Sequence, residues 1–108
     1  MLALGGSGNT ADSPEALKAL TDLLGDPERL VRQAAARAIA RVGRRAHAAV
    51  PGLRSLLKDD DPDVRLSAVA ALAALGKAAQ EAVPQLVPLL KSKSPALRLE
   101  ATRALAIA

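Results

Sequence analysis

A gapless internal repeat limits what this chain can fold into more than any other feature. The stretch "VPGLRSLLKDDDPDVRLSAVAALAAL" (50–75) lies over "VPQLVPLLKSKSPALRLEATRALAIA" (83–108) with 13 of 26 positions identical. Pro51/Pro84, Leu56/Leu89, Pro62/Pro95, Arg65/Arg98 and Leu72/Leu105 are among the matches, at an offset of 33 residues. One more step back reaches "LKALTDLLGDPERLVRQAAARAIARV" (17–42). There Leu20, Leu23, Leu24, Val31, Arg32, Ala35 and Gly43 stand in register with Leu53, Leu56, Leu57, Val64, Arg65, Ala68 and Gly76. A period of this length means stacked supersecondary units, none of which buries its apolar face alone.

Each unit divides into two helices. The first carries leucines at i, i+3 and i+4, as in Leu53, Leu56, Leu57 and in Leu86, Leu89, Leu90. A polar turn follows, ending in a residue that can cap and a proline (Asp61-Pro62, Ser94-Pro95), and proline suits the first helical position because its missing N–H would be unpaired there. The second helix puts Val64, Ala68, Leu72 and Leu75 on one stripe and stops at Gly76. In the first unit the proline comes two places earlier ("GDPERLVR"), so Asp26 is expected to cap directly. The expected helices are 14–24, 28–42, 48–58, 62–75, 81–91 and 95–107. Pro51 and Pro84 mark starts or kinks, and Pro88 loosens the fifth helix. Half of the chain is apolar with no Phe, Trp, Tyr or Cys, and the Ala- and Leu-rich remainder favours helix. The resulting fold class is all-α, an α-solenoid of three stacked helical hairpins with a slight superhelical curve. Its units are 14–46, 47–79 and 80–108, after a remnant of a preceding repeat and a linker in 1–13.

The run "DDDPDVRLSAVAALAALG", with an aspartate six residues before an arginine, resembles the HEAT repeats, and among them the short repeats of the phycobilisome-lyase type. Ankyrin and tetratricopeptide units share the length, but "TPLHxA" and the aromatic marks are missing, and an armadillo unit needs a third helix. The resemblance implies a ladder of hydrogen bonds along the stacked turns, carried here by Asp26, Arg32, Asp59, Arg65 and Arg98. Ser92 stands where the last repeat would need its aspartate. It also implies a noncatalytic scaffold that binds another protein on the concave face formed by the second helices. An accessory part in a bilin lyase is suggested by the subfamily's name alone.

Four carboxylates lie within "DDDPD" (59–63), which raises a metal site. An EF-hand-like loop starting at Asp59 would need Gly at 64 and Glu at 70, where the chain has Val and Ala. Pro62 forces a helix start, and the third unit has "SKSPALR" in the same place. The acids therefore read as a cap and a helix-dipole partner. His47, the single histidine, has no Cys, second His or acid at ligand spacing, so no metal ligand is assigned. No serine sits in a nucleophile elbow, and "GGSGNT" (5–10) lacks the Lys of a phosphate loop. No catalytic residue and no cofactor is expected.

The segment "RLVRQAAARAIARVGRR" (29–45) holds six arginines and no acid, and the chain carries a net charge of +4. Arg37, Arg41 and either Arg44 or Arg45 recur at helical spacing, on one face. They read as a solvated face, as contacts to nucleic-acid phosphates, or as part of a surface for an acidic protein. Across the repeats Arg37 corresponds to Ala70 and Arg103, and Arg41 to Ala74 and Ile107, so the basic stripe is interrupted. A single-strand groove would also carry stacking aromatics. The expected partner is thus a protein, acidic in character, with nucleic acid as the alternative. Arg37, Arg41, Arg44 and Arg103 are its candidate contacts, around a shallow middle at Ala70 and Ala74. "MLALGG" and "RALAIA" read as cut ends of a longer array, leaving Leu97, Ala101, Leu105 and Ile107 uncovered and prone to self-association. No membrane span or targeting segment is legible, and a cytoplasmic location is expected.

Overall fold

The structure, a computed structural model, describes residues 13–107. Six α-helices are found there: α1 (Pro14–Leu23), α2 (Arg29–Val42), α3 (Val50–Leu56), α4 (Pro62–Ala74), α5 (Val83–Leu86) and α6 (Pro95–Ile107). Segments of 3₁₀-helix occupy Gly43–Ala49, Gly76–Ala82 and Val87–Lys91, and no strand occurs among the described residues. The chain is an all-α solenoid, elongated at 50 × 29 × 20 Å. "MLALGG" and "GGSGNT" lie outside the described residues.

Short polar residues and proline start the helices. Ser13 Oγ accepts from Ala16 N–H at 3.1 Å, Asp61 Oδ1 from Asp63 at 2.7 Å, and Ser94 Oγ from Leu97 at 3.2 Å, with Pro14, Pro62 and Pro95 next in line. The α2 helix departs from the expected cap. Glu28 holds the N-cap position without a side-chain bond, while Asp26 Oδ2 accepts from Glu28 N–H at 2.9 Å. With the proline two places earlier, Asp26 stands two residues before the N-cap and bonds within the turn rather than to the first turn of the helix. Glycine ends α2 and follows α4, with φ of 73° at Gly43 and 69° at Gly76, a region that a side chain resists.

The first helices of the later units are shorter than 48–58 and 81–91. Each is entered through a 3₁₀ segment, because Pro51 and Pro84 lack the N–H that an α-helix reaching further back would use. Pro88 does more than loosen α5. It cannot bond to the Pro84 carbonyl and crowds it, so the α-helix lasts only four residues and continues as 3₁₀. At three residues per turn Leu89 stays beneath Leu86 while Leu90 swings about 120° away. Leu90 is 39% exposed, whereas its counterpart Leu57 is at 5%.

A single core runs through the stack. Ile39, Leu53, Leu72, Leu75 and Leu86 are its largest fully buried side chains. The second helices lie side by side, α2 against α4 and α4 against α6, so α4 is the centre of the stack. Alanines 35, 36, 68, 71, 101 and 104 are buried along these helices and let the axes come close. Leu97 and Ala101 correct the expected end face, since both are buried within α6's own packing, as Val64 and Ala68 are in α4. Leu99 (53%) and Ile107 (50%) are the large apolar side chains exposed on that helix.

Candidate functional site

The turns between paired helices are built alike. Asp26, Asp59 and Ser92 each accept a hydrogen bond from the N–H two residues on, at 2.9, 2.9 and 3.1 Å. The arginine six places later folds back onto the turn in each case. Arg32 Nη1 donates to the Asp26 carbonyl at 2.9 Å, Arg65 Nη1 to that of Asp59 at 2.6 Å, and Arg98 Nη1 to that of Ser92 at 2.7 Å. Arg32 also reaches into the next repeat, with Nε 2.8 Å from Asp59 Oδ1 and Nη2 3.2 Å from Oδ2, a bidentate pair. Arg29 adds a contact to Asp61 at 3.2 Å.

Charge in this corner is mutually compensated. Partial burial pushes the Asp59 carboxyl up. The Arg32 hydrogen bond, the Asp61 N–H and the charges of Arg32 and Arg65 together outweigh it and hold the group below the usual carboxylate range. The hydrogen bond to Asp59 raises Arg32 in turn. Asp59 and Asp61 are thus committed to arginines and backbone, and the described residues contain no group of three or more potential metal ligands.

A groove opens on the face made by the second helices. Its volume is about 470 Å³. Arg37, Ala40 and Arg41 come from α2, Leu66, Ser67 and Ala70 from α4, and Glu100 from α6. Helical spacing of four places the two arginines one above the other on the α2 wall. Both are exposed, and among the described residues neither makes a hydrogen bond or an ion pair.

The other candidate residues are distributed differently. Arg44 does not share the face of Arg37 and Arg41, because the helix ends at Val42 and Gly43 turns the chain. It lines a separate depression with His47, Leu75 and Lys77. Ala70 contributes to the groove floor and Ala74 is not part of its lining. Arg103 is 63% exposed and stands beside the groove through its Nη1–Glu100 Oε2 contact at 3.6 Å. Glu100 itself is a lining residue that the spacing of basic residues does not reveal; the signal for it was its place three residues before Arg103. Two cross-repeat pairs were equally hidden, His47 Nε2–Glu81 Oε2 at 3.0 Å and Arg54 Nε–Gln85 Oε1 at 3.2 Å.

Stacked hairpins with arginine-pinned turns and a groove across their second helices define an α-helical repeat scaffold. Comparison with known proteins gives the family. The sequence model of the HEAT repeats matches residues 2–73 and again 50–108. The chain belongs to the HEAT-repeat family. Among solved structures it is similar to the crystal structure of an engineered protein from a structural genomics consortium, at 33% identity and a TM-score of 0.71. The match covers 89% of this chain and 50% of the other, so the chain spans about half the length of that protein. No curated protein sequence matches it. No helix among the described residues is long and apolar enough to cross a membrane.

Proposed function

We propose that the chain is a noncatalytic scaffold that holds a segment of another protein in the groove on its second-helix face. Arg37 and Arg41 take carboxylates of that segment. The observation that carries this reading is that these two arginines are uncommitted. Arg29, Arg32, Arg54, Arg65, Arg98 and Arg103 each have a partner, and Arg37 and Arg41 have none among the described residues. An exposed cation pair beside an apolar floor of Ala40, Leu66 and Ala70 suits an acidic, partly apolar peptide.

Nucleic acid suits the groove less well. A phosphate track needs cations in succession, whereas the floor is apolar and the far wall carries Glu100. The chain also has no aromatic residue on which a base could stack. The test is fluorescence anisotropy with a labelled peptide carrying two glutamates and a leucine, beside labelled duplex and single-stranded DNA, at two salt concentrations. The peptide should bind, and the Arg37→Ala/Arg41→Ala double variant should weaken it about tenfold or more, the loss of two charge contacts. Tighter DNA binding that collapses with salt would transfer the face to nucleic acid. Equal peptide binding by the double variant would move the site elsewhere.

A further inference from the structure

We propose that the segment received by this groove is bipolar, with carboxylates at one end, small apolar side chains in the middle and a cation at the other end. The proposal rests on the reading of the groove as a protein-binding site and adds its charge order. The order follows from the stack. Because α4 packs between α2 and α6, the arginine pair and Glu100 flank the floor from opposite sides. Arg37 and Arg41 form the cationic wall, Leu66 and Ala70 the apolar floor, and Glu100 the anionic wall.

Glu100 is able to take a ligand cation. Arg103 Nη1 lies 3.6 Å from Glu100 Oε2, an ion-pair contact beyond hydrogen-bond distance. Arg103 is itself well exposed, and such a pair contributes little, so a second cation shares or replaces it at small cost. A carboxylate brought to the same wall meets a like charge, which selects against uniformly acidic partners. The segment runs across the second helices rather than along them. With packed helix axes about 8–10 Å apart, the walls are separated by roughly 16–20 Å, or about five to six residues of extended chain.

The test uses three labelled peptides that share an acidic pair and an apolar centre. They differ only at one position about five residues beyond the acidic pair, which is Lys, Gln or Glu. The full chain should bind them in the order Lys, Gln, Glu, with about threefold to fivefold between Lys and Gln, the span of one exposed ion pair. Glu100→Gln should erase the Lys–Gln difference, and Glu100→Lys should invert the order, with circular dichroism melting showing that each variant is folded. Arg37→Ala/Arg41→Ala should weaken all three peptides alike. If the Lys and Gln peptides bind equally to the wild type, while the double arginine variant still loses them, the bipolar order is wrong and the groove stands. If no peptide binds, or the double variant binds all three as the wild type does, the groove reading itself fails and the order with it.

Discussion

The two junctions between repeats share a backbone design and differ in how their side chains cross it. Between the first and second units, Arg32 grips Asp59 and Arg29 reaches Asp61, both on the edge formed by the turns. Between the second and third, Ser92 replaces the aspartate and Pro62 occupies the position corresponding to Arg29. Arg65 therefore stays on its own turn, donating to the Asp59 and Asp60 carbonyls. Polar contacts at this junction lie elsewhere, at His47–Glu81 beside the linkers and at Arg54–Gln85 between the first helices. The turn needs only a short side chain that accepts from the N–H two residues on, and Ser serves as well as Asp. The link to the neighbouring repeat needs a carboxylate with two oxygens. One residue position thus performs two separable tasks, and only one of them tolerates serine.

The largest expected effect ignores the distinction between junctions. Leu72 is fully buried on α4, the helix shared by both. Leu72→Ala removes buried methyl groups and leaves a cavity, which should cost about 2–5 kcal/mol in urea unfolding. Because the core is continuous, the unfolding transition should remain single. Two separated transitions in this variant would mean that the junctions are independent units, and the comparison would have to be made between domains rather than edges.

A smaller effect separates the junctions. Asp59→Ala removes a bidentate arginine partner and the acceptor of the Asp61 N–H, and should cost about 1.5–3 kcal/mol. Ser92→Ala loses only the local bond and should cost less, about 0.5–1.5 kcal/mol. The sign of the pH dependence follows from Asp59 being held below its ordinary range. Its contribution is full above the unfolded-state carboxylate value of about 3.9 and is lost as pH falls through the lower folded value. The stability difference between the wild type and Asp59→Asn should be constant near neutrality and shrink in that acid window. A difference that persists undiminished well below it would assign the effect to packing rather than to charge.

How much of this could be read from the sequence depends on how local the cause is. Caps such as Asp61 and Ser94, the glycines at 43 and 76 and the stripe of Val64, Ala68 and Leu72 are set by neighbours within a turn or two, and their spacing displays them. The collapse of α5 into 3₁₀ was half legible. Pro84 and Pro88 were visible at a spacing of four, but the resulting swing of Leu90 out of the core follows only from the altered pitch. Cross-repeat partners obey no fixed offset. Arg32 meets Asp59 across 27 residues, Arg54 meets Gln85 across 31, and His47 meets Glu81 across 34. Lateral stacking decides these pairs, and the period alone does not encode it. Glu100 joins the groove of Arg37 and Arg41 for the same reason, through the position of α6 against α4.

The smallest effect is the sharpest test of the comparison, because it adds a contact instead of removing one. Ser92→Asp supplies the third turn with the carboxylate it lacks. The new side chain can keep the bond from Ser94 N–H, as Asp59 keeps that from Asp61. Arg65 is already folded onto its turn by two carbonyls, the arrangement from which Arg32 extends its Nε and Nη2 to Asp59. Little further side-chain freedom is lost when it reaches position 92. The gain should be about 0.2–1 kcal/mol, as for a surface ion pair, and should fall with added salt. Combining Ser92→Asp with Arg65→Ala in a double-mutant cycle isolates the pair. A coupling energy indistinguishable from zero would mean that the second junction is offset relative to the first, so that position 92 lies out of reach of Arg65 and serine there is a consequence of geometry rather than the cause of the missing link.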